Sequence, residues 1–344
     1  MKRRLYFSTY STILWVLILV LVSRCSEDKP VQESSTGNEG NYQVPKFDRD
    51  SAYQFVVQQL SFGPRVPNAT GHENCKNWLI DRLDQYGMDV IAQDFEATAH
   101  TGTLFKSTNI IAQHNPEASR RILLAAHWDT RYIADSPLSK ERREEPILGA
   151  DDGGSGVAVL LEIARLLQQY PLPFGVDIVL FDAEDQGISR AAGEESGSGD
   201  QSSWCLGSQY WSNNLHKKGY QAEYGILLDM VGSKNARFPK EYYSMQFAPR
   251  LVNDIWALAG RMGYSNYFHD SRVGGITDDH YFVNTIARIP MIDIINLPAD
   301  SQSQSFGDHW HTHQDNLEII DARTLRAVGQ VLLAVLYGEA NGTF

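Results

Sequence analysis

The sequence predicts an α/β fold, a three-layer α-β-α sandwich around a central mixed, mostly parallel, twisted sheet. Candidate strands and helices alternate along residues 46–344. The strands are continuous apolar runs without in-out alternation, which is typical of a sheet covered by helices on both faces. No internal repeat and no second linker interrupt this order, so we expect residues 46–344 to form a single domain.

Spacing of apolar residues predicts the individual elements in chain order. Helical periodicity indicates six helices, of which Gly87 ends the second and Pro171 ends the strongly amphipathic third. These helices are 51–60, 74–87, 155–170, 206–215, 250–263 and 321–338. Short apolar runs indicate five strands, at 107–113, 120–127, 176–183, 224–232 and 289–296.

Residues 1–25 differ in composition from the rest of the chain. Lys2, Arg3 and Arg4 precede the apolar run ILWVLILVLV, and Cys25 follows it in LVSRCSED. A basic start and a short apolar core are typical of an export signal. Two interpretations stay open: a lipid anchor at Cys25, although Arg24 stands where a lipobox has a small residue, and an uncleaved signal anchor. Both predict a membrane-anchored, extracytoplasmic protein, and a bacterial periplasm is the expected compartment.

The remaining composition limits the class of protein. Residues 26–45 are polar and rich in Gly and Ser, which predicts a flexible linker. The apolar fraction of 42% is that of a globular protein. The net charge of -12 argues against nucleic-acid binding, which needs an excess of Lys and Arg. Cys75 and Cys205 either pair in an oxidising compartment or remain two buried thiols.

Polar residues stand where the predicted strands end. They are His127, Asp129, Glu184, Asp185 and Asp229, joined by Asp152 in GADDGGSG and by the histidine-rich stretch DHWHTHQDN at 308–316. Each alone could be a helix cap or a turn residue. Together they would meet at the carboxyl edge of one sheet, where ligands bind in such folds. Imidazole and carboxylate without a nearby thiolate suit zinc with an open coordination position.

Local spacing indicates different tasks for neighbouring residues. In His127-x-Asp129, the Asp can accept the far N–H of the imidazole and fix its tautomer. In Glu184-Asp185, adjacent side chains diverge, so that one carboxylate can bind metal while the other acts as a general base. Gly153 lets the backbone turn sharply beside Asp152.

Seven stretches carry a resemblance to a known family. They are LLAAHWDT, LGADDGGSGVAVLLEIAR, VLFDAEDQG, LGSQYW, LLDMVG, TDDH and HWHTHQDNLEIID, and they span nearly all of residues 46–340. In this order they resemble the zinc-dependent aminopeptidase family that also contains the animal-type glutaminyl cyclases. The family's helix-covered mixed sheet agrees with the fold predicted above.

The resemblance implies roles for individual residues. Asp152, Asp185 and His311 match the metal ligands, Asp185 replacing a Glu that is usual in the family. Glu184 matches the catalytic acid/base, and the Asp152–Gly153 peptide matches one that is cis in the family. His127 and Asp229 match the second-zinc ligands of two-zinc aminopeptidases, whereas the cyclases use one zinc. His309 and His313 flank His311 at alternate positions and are expected to point elsewhere, and Asp308 and Asp315 are expected to be turn or supporting groups.

Three features resemble the cyclase branch more closely. Trp310 directly precedes His311, and Trp204 lies in the stretch between Glu184 and LGSQYW. Asp278 in GGITDDH matches the aspartate that stabilises the reacting amide. The structural alternatives are core packing for Trp310 and a helix N-cap for Asp278.

The resemblance therefore implies a zinc-dependent glutaminyl-peptide cyclotransferase as the catalytic domain. Its reaction would convert the N-terminal Gln of peptides or proteins to pyroglutamate and release ammonia. The alternative is an exported two-zinc aminopeptidase that removes N-terminal residues, with zinc stoichiometry separating the two. A non-catalytic binding domain is the third possibility, and the presence of Glu184 and all the candidate ligands disfavours it.

Overall fold

The structure is a computed structural model that describes residues 41–188, 201–303 and 306–344. The predicted leader at 1–25 and most of the predicted linker lie outside the described residues, so both stay predictions. From Gly40 to Phe344 the chain is one compact unit. Within the described ranges, no helix is long and apolar enough to cross a membrane.

A six-stranded sheet lies at the centre of this unit. Its strands are β1 (Asp89–Thr98), β2 (Leu104–His114), β3 (Arg121–His127), β4 (Gly175–Phe181), β5 (Gly225–Asp229) and β8 (Met291–Ile295), in the spatial order β1-β2-β4-β3-β5-β8. The pairs β3/β4, β3/β5 and β5/β8 are parallel, and β1/β2 and β2/β4 are antiparallel. A small separate sheet pairs β6 (Phe238–Lys240) with β7 (Phe268–Arg272). The predicted mixed, mostly parallel sheet is confirmed.

Eight α-helices are described. They are α1 (Arg49–Ser61), α2 (Thr70–Gln85), α3 (Ser155–Gln169), α4 (Leu206–Asn213), α5 (Tyr242–Phe247), α6 (Pro249–Arg261), α7 (Asp279–Phe282) and α8 (Ala322–Ala340). A π-helical turn, Val283–Ala287, continues α7, and the two 3₁₀ turns are Gln201–Ser203 and Leu317–Ile319. The six predicted helices all form, with ends shifted by a few residues.

Alternate residues of the central strands enter two different apolar layers. Leu124 of β3 and Ile226 of β5 belong to the larger core, which also contains α1, α3 and α8. Leu123 and Leu227, one residue away, pack instead with Trp211 of α4. Because both faces are covered, the residues of the inner strands are mostly apolar, and the exceptions, such as Asp177 of β4 and Asp293 of β8, are themselves buried. The three-layer sandwich is thus confirmed.

The sheet determines where the polar strand ends meet. Because β4, β3 and β5 are adjacent and parallel, their carboxyl ends lie at one edge. His127 is the last residue of β3, Asp229 is the last of β5, and Glu184 follows β4 by three residues. Cys75 and Cys205 are both buried and free, so no disulfide joins them.

Candidate active site

The turn after β4 directs Glu184 and Asp185 into the site. Ala183 has a left-handed backbone (φ 53°), which a non-glycine residue adopts only at a cost of about 1 kcal/mol or more. Hydrogen bonds hold this turn: Leu206 N–H donates to Ala183 O at 3.0 Å, and Cys205 N–H donates to Glu184 O at 2.8 Å. The start of α4 therefore fixes the position of the Glu184 backbone.

Asp152, Asp185 and His311 form a buried cluster whose candidate ligand atoms lie within 4.8 Å of one another. His311 Nε2 lies 2.9 Å from Asp185 Oδ1 and 3.7 Å from Asp152 Oδ2. Asp152 Oδ2 and Asp185 Oδ2 are buried and have no hydrogen-bond partner among the residues that the structure describes. Unpaired buried carboxylate oxygens are costly, and a cation beside the imidazole nitrogen would satisfy them. One imidazole and two carboxylates fit zinc with an open fourth position.

A second cluster shares Asp152 with the first. His127, Asp152 and Asp229 place their ligand atoms within 4.8 Å. His127 Nε2 lies 3.0 Å from Asp152 Oδ1 and 3.3 Å from Asp229 Oδ1. Each oxygen of Asp152 thus faces a different histidine. The structure thus brings together the candidate ligands of both clusters. Asp308, predicted as a turn or supporting group, instead accepts hydrogen bonds from Ser301 and Gln302 in its own turn.

The buried carboxyl groups carry an excess of negative charge. Burial raises the pKa of Asp185 to about 6, and the charge of Asp152 acts in the same direction. Burial likewise raises the pKa of Asp229 to about 8, with Asp278 and Asp152 contributing. Burial alone would lower the pKa of His311, but Asp185 and Asp135 outweigh it and raise that pKa to about 9. A bound divalent cation would neutralise this excess.

Asp315, which lies outside the ligand set, holds the turn that contains Asp152. The carboxylate of Asp315 accepts hydrogen bonds from the N–H groups of Asp151 (2.7 Å) and Asp152 (3.1 Å). The carboxylate of Asp151 lies 2.9 Å from His309 Nε2. Asp315 thus supports the candidate metal cluster, while His309 lies next to this cluster without entering it.

The family resemblance implied a cis peptide between Asp152 and Gly153, and the structure corrects this. No peptide bond of the described residues is cis. A left-handed backbone at Gly153 (φ 82°) makes the turn instead. A Cβ at that position would lie 2.3 Å from Asp129 O, so only glycine fits there.

His311 is held by contacts that the sequence did not predict. Its Nδ1 lies 2.7 Å from Asp135 Oδ1, and Asp135 forms an ion pair of 2.6 Å with the buried Arg131. The Arg131 guanidinium also donates to the carbonyl oxygens of Asp185 (2.9 Å) and Gly187 (2.8 Å). The buried Arg131 side chain therefore contacts both the carboxylate that holds His311 and the backbone of Asp185. The only available signal was an Arg and an Asp four residues apart directly after HWDT.

Two tryptophans face His311. The Trp310 ring is stacked on the imidazole with centroids 3.7 Å apart, and Trp204 lies parallel at 6.2 Å. The Arg131 guanidinium lies over Trp204 at 4.5 Å. Both indoles are partly exposed, and Trp310 also packs against Phe306. Trp310 is thus partly packed and partly exposed next to His311.

Glu184 lies on the solvent-exposed side of the candidate site. Its side chain keeps 13% of its surface exposed, more than Asp185 or His311 does. The N–H groups of Glu184 and Asp185 donate to the Asp129 carboxylate at 3.0 and 3.2 Å. His127 Nδ1 lies at 3.5 Å from that carboxylate, so Asp129 mainly holds the Glu184 turn. Burial raises the pKa of Glu184 well above its usual range, and the charges of Asp185 and Asp278 add to this.

Asp278 is the N-cap of α7, as the structural alternative proposed. Its Oδ1 accepts the N–H of Asp279 at 2.5 Å, while its Oδ2 is buried without a partner. A ligand atom of Asp278 lies within 4.8 Å of Glu184 and of the Cys205 thiol. Capping therefore uses one oxygen, and the other has no hydrogen-bond partner within the described ranges. A ligand atom of Asp278 also lies within 4.8 Å of His280 and Asp293.

The helix-covered sheet and the buried imidazole–carboxylate cluster at its carboxyl edge together define a metal-dependent enzyme. Residues 109–336 match peptidase family M28, so the chain belongs to that family. A glutaminyl cyclase of Bacteroides thetaiotaomicron, solved with N-acetylhistamine, is 48% identical and covers 86% of this chain and 99% of its own, with a TM-score of 0.81. A leucine aminopeptidase precursor from the same organism is also 48% identical over 86% of this chain and 99% of its own, with a TM-score of 0.80. The glutaminyl-peptide cyclotransferase of Bothrops jararaca is 25% identical over 78% of this chain and 75% of its own length.

Proposed function

We propose that the protein is a zinc-dependent glutaminyl-peptide cyclotransferase. It converts the N-terminal glutaminyl residue of a peptide or protein to pyroglutamate and releases ammonia. The observation that carries the proposal is the pair of partly exposed indoles, Trp310 and Trp204, that face His311. They form aromatic walls beside the candidate ligands, which suit a small planar amide better than a varied side chain. The names of the similar cyclases support the same activity.

We propose a single zinc ion, held by Asp152, Asp185 and His311. When bound there, it supplies Lewis-acid polarisation of the substrate's γ-carbonyl group. The attacking group is the substrate's own α-amine, so no water needs to be activated. His127 and Asp229 then act as supports for Asp152 through the contacts of 3.0 and 3.3 Å.

Glu184 moves the proton. It takes one proton from the attacking α-amine and returns one to the departing nitrogen, which leaves as ammonia. Its raised pKa suits both transfers, because the group must accept and release a proton near neutral pH. Asp278 presents its unpartnered Oδ2 as a hydrogen-bond acceptor for the amide nitrogen. Trp310 and Trp204 confine the glutaminyl side chain near these groups.

An aminopeptidase is the second candidate, and one observation favours it. The cluster of His127, Asp152 and Asp229 is complete and buried, so a second metal ion has its ligands. The similar leucine aminopeptidase precursor agrees with this alternative. Such an enzyme would hydrolyse the first peptide bond and would need two ions.

The two activities are separated by two peptides that differ only in the first residue, Gln or Leu. Mass spectrometry follows each peptide with the purified protein, with and without a zinc chelator, and with Glu184→Gln as control. The cyclase removes one ammonia from the Gln peptide and leaves the Leu peptide intact, and both the chelator and the substitution abolish this. Release of free Leu without ammonia loss would reassign the protein to the aminopeptidases.

We also propose that the catalytic domain begins near residue 46 and is tethered outside the cytoplasm, in a bacterial periplasm, by residues 1–25. The basic start, the apolar run and Cys25 support this. Fractionation of cells that express the full chain tests it. A membrane fraction that Cys25→Ser abolishes indicates a lipid anchor, and one that it leaves unchanged indicates a signal anchor. Recovery only in the cytoplasm contradicts the proposal.

A further inference from the structure

A thiol lies against the proposed general base. Cys205 Sγ donates a hydrogen bond to Glu184 Oε1 at 3.2 Å, and the cysteine is completely buried. Asp278 adds a carboxylate oxygen, so that one atom from each of the three residues lies within 4.8 Å of the others. The proposed cyclisation gives this thiol no task.

The three groups come from rigid parts of the fold. Glu184 follows the turn at Ala183, Cys205 precedes α4 with a left-handed backbone (φ 55°), and Asp278 caps α7. Cys205 N–H also donates to Glu184 O, which keeps the two residues together. The positions of Sγ and of both carboxylates are therefore set by the folded chain.

An unsatisfied acceptor points to a ligand at this place. Asp278 is only 4% exposed, and its Oδ2 has no hydrogen-bond partner among the described residues. A buried carboxylate oxygen of this kind is costly unless it meets a donor or a cation. Solvent reaches the cluster through Glu184, whose side chain is partly exposed.

We propose that Glu184, Cys205 and Asp278 form an inhibitory site for a soft divalent metal ion such as zinc in excess. The ion takes the position of the hydrogen that Cys205 shares with Glu184, and the displaced proton passes to solvent. One thiolate and two carboxylates are a ligand set for zinc, and the thiolate favours soft ions over magnesium or calcium. This site is separate from the cluster of Asp152, Asp185 and His311, which contains no sulfur.

Occupation of this site blocks catalysis. A metal ion on the Glu184 carboxylate prevents it from accepting the proton of the α-amine, and it also occupies Asp278. The inhibitory effect rests on the proposed function, whereas binding of the ion does not. Excess metal therefore inhibits the enzyme while the catalytic zinc stays in place.

Cadmium is a suitable probe, because a thiolate bound to it gives a charge-transfer absorbance in the ultraviolet that carboxylate and imidazole ligands do not give. The zinc-loaded full chain is titrated with Cd²⁺, and the absorbance and the release of ammonia from a Gln peptide are measured in the same samples. Cys75→Ser is the matched control, because Cys75 is a buried residue of α2 and belongs to none of the candidate metal clusters in the described ranges.

We expect the band in the unchanged protein and in Cys75→Ser, and no band in Cys205→Ser. Inhibition, relative to each variant's own starting rate, should need about tenfold more Cd²⁺ in Cys205→Ser. Asp278→Asn keeps the thiol, and it should raise the Cd²⁺ concentration at which the band reaches half its maximum by about tenfold. Circular dichroism and zinc content establish that the variants are folded.

Three absorbance results would overturn the proposal: no band in the unchanged protein, a band that persists in Cys205→Ser, or an unaltered titration in Asp278→Asn. Equal inhibition of all proteins would do the same, since Cd²⁺ would then be replacing the catalytic zinc. If the Gln peptide is not cyclised at all, the proposed function fails, yet the band still decides whether the site exists.

Discussion

Asp135 is the residue that we expect to determine how firmly His311 is oriented. It contacts His311 Nδ1 at 2.7 Å, which leaves Nε2 directed at Asp185 and Asp152. Loss of such a carboxylate beside a ligating histidine typically costs about 10–100-fold in metal affinity. Asp135→Asn should therefore weaken zinc binding by that factor, as measured by competition with a chelator.

The matched control for this prediction is Glu144→Gln, which removes one negative charge from an exposed position of the same loop. Zinc affinity should stay unchanged in that variant. If Asp135→Asn and Glu144→Gln behave alike, Asp135 has no specific part in orienting His311.

The acidity of Glu184 predicts the shape of the pH profile. The deprotonated form accepts the proton of the amine, so kcat/KM should fall as the pH drops through the pKa of Glu184. Because burial raises that pKa, this acidic limb should lie above the usual range of a glutamate. Asp278→Asn removes a nearby negative charge, which lowers the pKa of Glu184, so the limb should move to lower pH. The profile of ammonia release against pH measures both effects, and a shift to higher pH in the variant would contradict them.

Among single residues, the sequence could predict the site residues that directly follow strands. It could not predict the residues that hold those side chains in place. His127, Glu184 and Asp229 were predictable because parallel strands deliver their ends to one edge. Asp135 was not, because its contact with His311 joins positions 176 residues apart and lies in a loop without periodicity. The contact between Cys205 and Glu184 could not be predicted from the sequence either, because it depends on the backbone conformation at the start of α4.

At the scale of elements, the segment after Asp185 and the start of α4 form one wall of the site. Trp204 packs directly on the backbone of Gly187, where an added Cβ would lie 2.2 Å from the indole. Gly187→Ala must therefore displace Trp204 from its place opposite His311. We expect a several-fold higher KM for a Gln peptide and an almost unchanged far-ultraviolet circular dichroism spectrum.

Gly260→Ala is the control for this substitution. Its Cβ would meet only Ser265 Oγ at 3.5 Å, an ordinary van der Waals distance, in the last turns of α6. Alanine is favoured over glycine in a helix by about 1 kcal/mol, so neither folding nor KM should suffer. If Gly187→Ala leaves KM unchanged as well, Trp204 is not part of the substrate wall.

Two physical causes explain elements that the sequence did not predict. β1 forms the edge of the sheet and is mostly exposed along its length, so it lacks the apolar run by which the inner strands were found. β6 has three residues and α7 has four, which is too short for any periodicity. By contrast, α3 and α8 are buried over much of their length and were predicted close to their observed bounds.

For the molecule as a whole, the two clusters around Asp152 raise the question of how many ions the folded chain holds. The unpartnered oxygens of Asp152 and Asp185 both belong to the cluster with His311. In the other cluster, His127 Nε2 already lies within 3.3 Å of Asp152 and of Asp229, so the three groups satisfy one another. This asymmetry favours one tightly bound zinc over two.

Zinc content and thermal stability together test this interpretation. We expect about one zinc per chain by atomic emission, lost in His311→Ala and kept in His127→Ala. An ion that binds only the folded state adds RT ln(1 + [L]/Kd), or about 2.7 kcal/mol when free metal is at 100 times its Kd. Stripping the zinc with a chelator should therefore lower the melting temperature by several degrees, and added zinc should restore it. In His311→Ala the chelator should have no effect, because the ion is already absent. Two zinc ions per chain, one of which disappears in His127→Ala, would instead identify the complete two-metal site of an aminopeptidase.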